Sequence, residues 1–104
     1  MAMIGEGILI KGRISGSVDL TVAGNVEGQI SLDSELTITE SGQVVADVDA
    51  HRVHIHGHYS GNLVAQDLIH LNANAKVTGN LRAPRIVLDE GARFKGNIDM
   101  DVPA

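Results

Sequence analysis

Five histidines, His51, His54, His56, His58 and His70, are the side chains of this sequence best suited to chemistry. Imidazole nitrogens ligate divalent metals and titrate near neutral pH. Within Val53–His58 they alternate with Val53, Ile55 and Gly57, so in an extended chain they share the solvent side. Aligning the internal repeats of the chain places His54 and His70 in one outward column, about one coil apart. The same column holds Leu9, Thr21, Thr37 and Val87 elsewhere, so no third ligand joins them; His56 aligns with Asn72 and Asp89. The expectation is a solvated, pH-sensitive face rather than a metal centre, and no cofactor is expected. Asp89 with Glu90, or Asp33 with Glu35, has the composition of an acid/base pair but falls at bends with no cleft beside it. There is no glycine-rich phosphate loop before a helix and no Ser/His/Asp set with a shared site. Asn62, Asn80 and Asn97 fall in one column and are expected to hydrogen-bond along the stack, as amide ladders do.

The elements that must carry these residues follow from a phrase that returns six times: an apolar pair around one residue, a turn-like gap, then apolar-x-Gly-x-apolar. The copies begin at residues 8, 20, 36, 53, 69 and 86, giving intervals of 12, 16, 17, 16 and 17. Even positions of 8–32 are Ile8, Ile10, Gly12, Ile14, Gly16, Val18, Leu20 and onward to Leu32, whereas the odd positions are mostly polar. A two-residue period makes strands with one buried face. A strand of 25 residues would be too long, so the chain bends, and inward glycines mark the bends. The gap comes in two lengths that differ by two residues (Val22-Ala-Gly24 against Ile38-Thr-Glu-Ser-Gly42), which keeps inward and outward positions in phase. Ser31–Glu35, Asp49–Arg52, Val64–Leu68 and Arg82–Arg85 are the expected outer bends. The expected fold is all-β: a single-domain β-helix (solenoid) of about six coils with a triangular cross-section and no substantial helix. Residues 4–100 form it, with short extensions at 1–3 and 101–104.

Composition agrees. Two aromatics, Tyr59 and Phe94, among 104 residues leave a core of Val, Ile, Leu and Ala, which suits narrow stacked coils. There is no cysteine, so no disulfide framework. No apolar run spans a bilayer, and Met1–Gly12 lacks the pattern of a signal peptide. Residues 1–49 hold eight acids and two bases, and residues 50–104 five acids and six bases. Without a dense basic stripe, nucleic acid is not an expected partner.

The run Ile4-Gly-Glu-Gly-Ile8-x-Ile10-x-Gly12-x-Ile14-x-Gly16, the repeated Gly-Asn-[Leu/Ile] and the closing Phe94-Lys-Gly96-Asn-Ile98-Asp-Met100 together resemble the bactofilins. The resemblance covers residues 4–100. It implies a right-handed triangular β-helix that polymerises end to end without nucleotide, into nonpolar cytoskeletal filaments with like ends meeting. It also implies a bacterial cytoplasmic location, at or near the inner face of the cytoplasmic membrane, and cell-envelope or polarity proteins as partners beside the homopolymer itself. Such proteins usually carry flexible tails, the N-terminal one often on the membrane. Only Met1–Met3 precede the repeat here and Asp101–Ala104 follow it, so membrane contact lacks its usual carrier.

The residues themselves point to the ends of the solenoid. Nothing long enough to cap either end is visible, and an uncapped β-helix end is a template for association. Ile4, Ile8 and Ile10 are expected to line the first end, and Phe94, Ile98, Met100 and Val102 the last. Two other readings compete. A left-handed β-helix enzyme, an acyltransferase or zinc hydratase, would need a strict six-residue period and a protruding loop with a catalytic histidine, and neither is present. A passive binding platform would use outward Leu9, Val45, Val64 and Val87 as a lateral or membrane-facing strip.

Overall fold

The computed structural model describes the backbone of residues 2–100 and the side chains of residues 3–99. Met1 and the expected extension 101–104 lie outside it. The ten strands are β1 (Ala2–Ile4), β2 (Leu9–Gly16), β3 (Leu20–Val22), β4 (Asn25–Leu32), β5 (Glu35–Ile38), β6 (Gln43–Ile55), β7 (His58–Leu71), β8 (Lys76–Ala83), β9 (Arg85–Leu88) and β10 (Arg93–Met100). Every pairing is parallel, and there is no helix among the described residues.

The strands stack in two sets. One runs β1, β3, β5, 52–55 of β6, 68–71 of β7, and β9. The other runs β2, β4, 43–50 of β6, 58–64 of β7, β8 and β10. Each coil takes one strand from each set, which makes six coils. The longer strands bend where Gly12, Gly28, Gly61, Gly79 and Gly96 take positive φ, so each contributes two faces. The first set is face A; face B precedes the glycine bend and face C follows it.

The first coil departs from the expected repeat. Leu20 pairs with Ala2, not with Ile8, and Val22 pairs with Ile4. Ile10 and Ile14 pair with Val26 and Ile30, where the expected alignment put Ile14 and Val18. The solenoid therefore starts at Ala2, inside the stretch expected to be an extension, and the outlying 12-residue interval marked the misplaced copy. Val18 lies outside any strand and is exposed. The physical reason is that Ile8 ends a long corner, with its N–H donating to the Gly5 carbonyl, and corner and strand residues of equal parity look alike in sequence. The same turn closes Thr39–Gly42, Asn72–Ala75 and Asp89–Ala92.

Inside, aliphatic side chains stack in columns at the strand spacing of about 4.8 Å. Val22, Ile38, Ile55 and Leu71 form one such column, fully buried. No polar or charged residue is buried among the described ones. Coils approach most closely at the glycine bend. Gly79 has φ +128°, and a Cβ there would collide with the Gly61 carbonyl oxygen. Coil three breaks this rule with Ala46, whose φ is not positive. The ladder skips there, and the buried Tyr59 hydroxyl sits 2.6 Å from the Ala46 carbonyl and 2.8 Å from that of Asn62 as donor. Burial, with Asp47 nearby, pushes the Tyr59 hydroxyl pKa up, so it remains a donor.

Outside, charges link successive coils. Arg85 Nη2 and Arg52 Nε lie 2.6 Å from the two carboxylate oxygens of Asp67. The two guanidiniums, Arg85 first, hold the Asp67 carboxyl below its usual range.

Two outcomes follow. Gly79→Ala should lower unfolding stability by about 2 kcal/mol or more, because strained φ alone costs ~1–3 kcal/mol; a denaturant titration showing no loss would contradict the close-approach account. Asp67 is bound more tightly as a carboxylate in the folded chain, so its contribution is complete above the ordinary value of 3.8 and fades as pH falls below it. The stability gap between the wild type and Asp67→Asn should therefore be constant from neutral pH down to that value and narrow in more acidic solution. A gap that stays constant into strong acid would show that the clamp does not depend on the charge.

Candidate functional site

The two ends of the solenoid are where its construction stops unsatisfied. Among the described residues, strands β1 and β2 pair only with β3 and β4, and β9 and β10 only with β7 and β8. Each end thus presents a free edge of backbone donors and acceptors, the feature that soluble sheets normally protect.

The core columns open at the same places. Leu71 is 0% exposed, but Leu88, the next member of its column, is 49% exposed. Leu81 is 1% exposed, and Ile98 above it is 40%. Phe94 covers Val77 and is half-buried against the core, and Ile86 is half-buried too. At the other end Ile10 and Ile14 are half-buried and Ile8 is 48% exposed. Aliphatic surface and open backbone therefore coincide at both ends.

Of the expected end residues, Ile10, Phe94 and Ile98 lie on strands of the terminal coils, and Ile8 lies at a corner of the first coil. Ile4 does not contribute surface: it is buried, with Cγ2 3.4 Å from where a Cβ on Gly24 would be, filling space that the glycine leaves. The backbone of Met100 pairs with Ala83, while its side chain and Val102 lie outside the described residues. Leu88 was the residue missed. Its signal was available, since it occupies the position of Leu71 in the last copy, which no further coil covers among the described residues.

The histidines do not form a centre. His54 and His70 are register partners in edge-to-face contact, with ring centroids 5.7 Å apart. Each is occupied by a carboxylate: His54 Nε2 lies 2.8 Å from Glu35, and His70 Nε2 2.9 Å from Asp89. Asn72 Nδ2 donates to His56 Nδ1 at 2.7 Å. His58 is on face B, in register with Gln43 and Lys76, and His51 is exposed elsewhere. No group of three or more metal-ligating side chains comes together among the described residues. The row Glu35–His54–His70–Asp89 links neighbouring coils along face A. Asp89 is thereby engaged with His70 rather than paired with Glu90. The asparagines also link coils: Asn80 Nδ2 donates to Asn62 Oδ1 at 2.9 Å, and Asn97 Nδ2 to Asn80 Oδ1 at 3.3 Å.

The outward aliphatics do not make a strip. Val87 is on face A, Leu9 and Val45 on face B, and Val64 on face C.

Comparison with known proteins agrees with this geometry. A family model described as "Bactofilin: Polymer-forming cytoskeletal" matches residues 2–99. The chain is 49% identical over 100 residues to bactofilin BacN of Myxococcus xanthus (strain DK1622), covering 96% of this chain and 88% of that protein. It is 46% identical over 100 residues to BacO of the same organism, covering 96% and 79% respectively. BacP of that organism is 39% identical over 98 residues, and there the match covers 94% of this chain and 41% of BacP. The fold matches the solid-state NMR structure of the cytoskeletal bactofilin BacA with a TM-score of 0.85 and 26% identity, over 93% of each chain. The family matched over nearly the whole chain is one of polymer-forming cytoskeletal proteins, structural rather than enzymatic, and this chain, a six-coil parallel solenoid, belongs to the bactofilins.

Proposed function

We propose that the chain polymerises end to end, without nucleotide, by burying the first and last coils against further copies, and that the resulting filament scaffolds cell-envelope or polarity proteins on the cytoplasmic side of a bacterial membrane. The observation that carries this reading is the coincidence of open backbone edges with exposed core columns at Leu88, Phe94 and Ile98 and at Ile8 and Ile10. A second copy supplies strands for the free edges and aliphatic partners for the columns in one step. Fully burying a side chain such as Leu88 or Ile98 is worth roughly 1.5–3 kcal/mol, so each junction is stabilised by core-like packing without help from a bound nucleotide.

Like ends meet in this proposal. Both ends are apolar, and a two-fold junction needs only that each be complementary to itself. The uneven charge, net −6 in residues 1–49 against +1 in residues 50–104, favours unlike ends. Surface charge is screened over about 10 Å at 0.1 M salt, whereas junction packing is not.

Leu88→Arg is the cleanest test, because Leu88 is already half exposed and Arg is tolerated in the free chain but would be desolvated in a junction. Electron microscopy should show filaments of the wild type and none of the variant. Analytical ultracentrifugation then reads polarity. If like ends meet, the variant stops at dimers joined through their first coils; monomers alone would indicate head-to-tail stacking. Unchanged filaments would remove the last coil from the interface.

A further inference from the structure

One block of face B is built entirely of donors that the molecule does not use. His58 and Ser60 of β7, Lys76 and Thr78 of β8, and Arg93 and Lys95 of β10 are register partners in two columns, His58–Lys76–Arg93 and Ser60–Thr78–Lys95. Rungs lie about 4.8 Å apart, and alternate residues of a strand point the same way about 6.6 Å apart. The six side chains therefore form a grid roughly 7 by 10 Å across. Each carries an N–H or O–H donor. None of them makes a hydrogen bond or ion pair among the described residues. Lys76, Thr78, Arg93 and Lys95 line one shallow depression with Val77 and Phe94.

The grid holds no acid. Lys76 and Arg93 lie directly opposite one another, an arrangement that destabilises a sheet. Glu90, in the corner before Arg93, makes no ion pair with either. By contrast Lys11, on the same face of the first coil, reaches Glu27 on the next. The depression thus suits an anion that the chain itself does not supply, and its donors select which one. A carboxylate brings one charge and two acceptor oxygens. A terminal phosphate brings up to about two charges and three strong acceptor oxygens. The planar fork of Arg93 can hold two of those oxygens. Lys76 and Lys95 add point charges from either side, and the Thr78 hydroxyl donates between them. The net charge of −5 repels an extended polyanion, so the ligand is one compact group.

We propose that Lys76, Thr78, Arg93 and Lys95 form a binding site for a terminal phosphate group, with His58 and Ser60 at its margin. The dianion is common to soluble phosphate compounds and to monoester lipid headgroups, and the site recognises that shared chemistry. All its residues come from one chain, so the site does not rest on end-to-end assembly. Binding also relieves the repulsion between Lys76 and Arg93, which the free chain carries uncompensated.

Equilibrium dialysis of the full chain against radiolabelled pyrophosphate tests it, and reads filaments and single chains alike. At about 50 mM NaCl, where screening is incomplete, binding should saturate at about one pyrophosphate per chain. R93Q/K95Q should weaken it by about tenfold or more, and T78V by a few-fold. K11Q/R13Q, which removes two cations from the first coil, should leave it within about twofold of the wild type. R93Q/K95Q should unfold at no lower denaturant concentration than the wild type, because it removes a repulsion, so lost binding is not mistaken for lost fold. Flotation with vesicles containing phosphatidic acid identifies the source. Flotation that pyrophosphate competes away and R93Q/K95Q abolishes supports the site with a lipid headgroup in it; pyrophosphate binding without flotation supports it with a soluble phosphate. Saturable binding of neither probe would overturn the proposal, as would wild-type affinity in R93Q/K95Q or an equal loss in K11Q/R13Q.

Discussion

Parallel in-register stacking is the constraint on which the rest of this molecule depends. Each residue of a coil sits above its counterpart in the coil before, at about 4.8 Å. That spacing decides what a column may hold. Inward columns accept Val, Ile and Leu, whose branched side chains fill a narrow interior without polar atoms. The bend column accepts almost nothing: between Gly61, Gly79 and Gly96 each backbone lies where the next Cβ would be. Ala46 is the exception: the ladder skips there, and Tyr59, inward like its register partners Val44 and Val77, donates to the Ala46 carbonyl.

The same spacing governs the surface. A stack of identical outward charges would repel itself, so the outward columns and the bends beside them place opposites on neighbouring coils. Lys11 faces Glu27, Asp67 lies between Arg52 and Arg85, and Glu35 and Asp89 bracket His54 and His70. These pairs are solvent-exposed and individually small. Their consequence is registry: a slip by one residue would flip every side chain through the wall and also separate each pair. Two of the five histidines, His54 and His70, take this role. Each reaches a carboxylate, Glu35 or Asp89, that lies beside its own column.

How far the sequence could be read follows from what parity can and cannot say. Alternation distinguishes inward from outward, so the buried set from Leu20 to Leu81, the outward asparagine column and the pairing of His54 with His70 were all legible. Parity does not distinguish a strand from a corner. Ile8 has the right parity and the right neighbours to open a strand, yet it closes the long corner that begins at Gly5, and that displaced the first coil by six residues. Ion pairs such as Arg52–Asp67–Arg85 were illegible for a different reason. Asp67 lies in a bend, where repeat alignment is loosest, and only the three-dimensional register brings it between two arginines 15 and 18 residues away. Ile4 and Leu88 show the limit at the ends. Both continue one column, but Ile4 is buried against the space that Gly24 leaves, and Leu88 is open because no further coil covers it among the described residues.

The ends are therefore a consequence of the interior rather than an addition to it. A ladder in which every rung is satisfied by the next has no satisfied last rung, and adding coils moves the edge without removing it. Only two things can close it, a cap of different structure or another copy of the same one. A cap must cover free backbone groups with donors and acceptors while also covering Leu88, Ile98 and Phe94, which a short polar loop cannot do. A second solenoid does both because its terminal coil has the same cross-section and the same columns. In the end-to-end assembly proposed above, the repeat that specifies the fold also specifies its partner, and the junction draws on residues that the fold already needs.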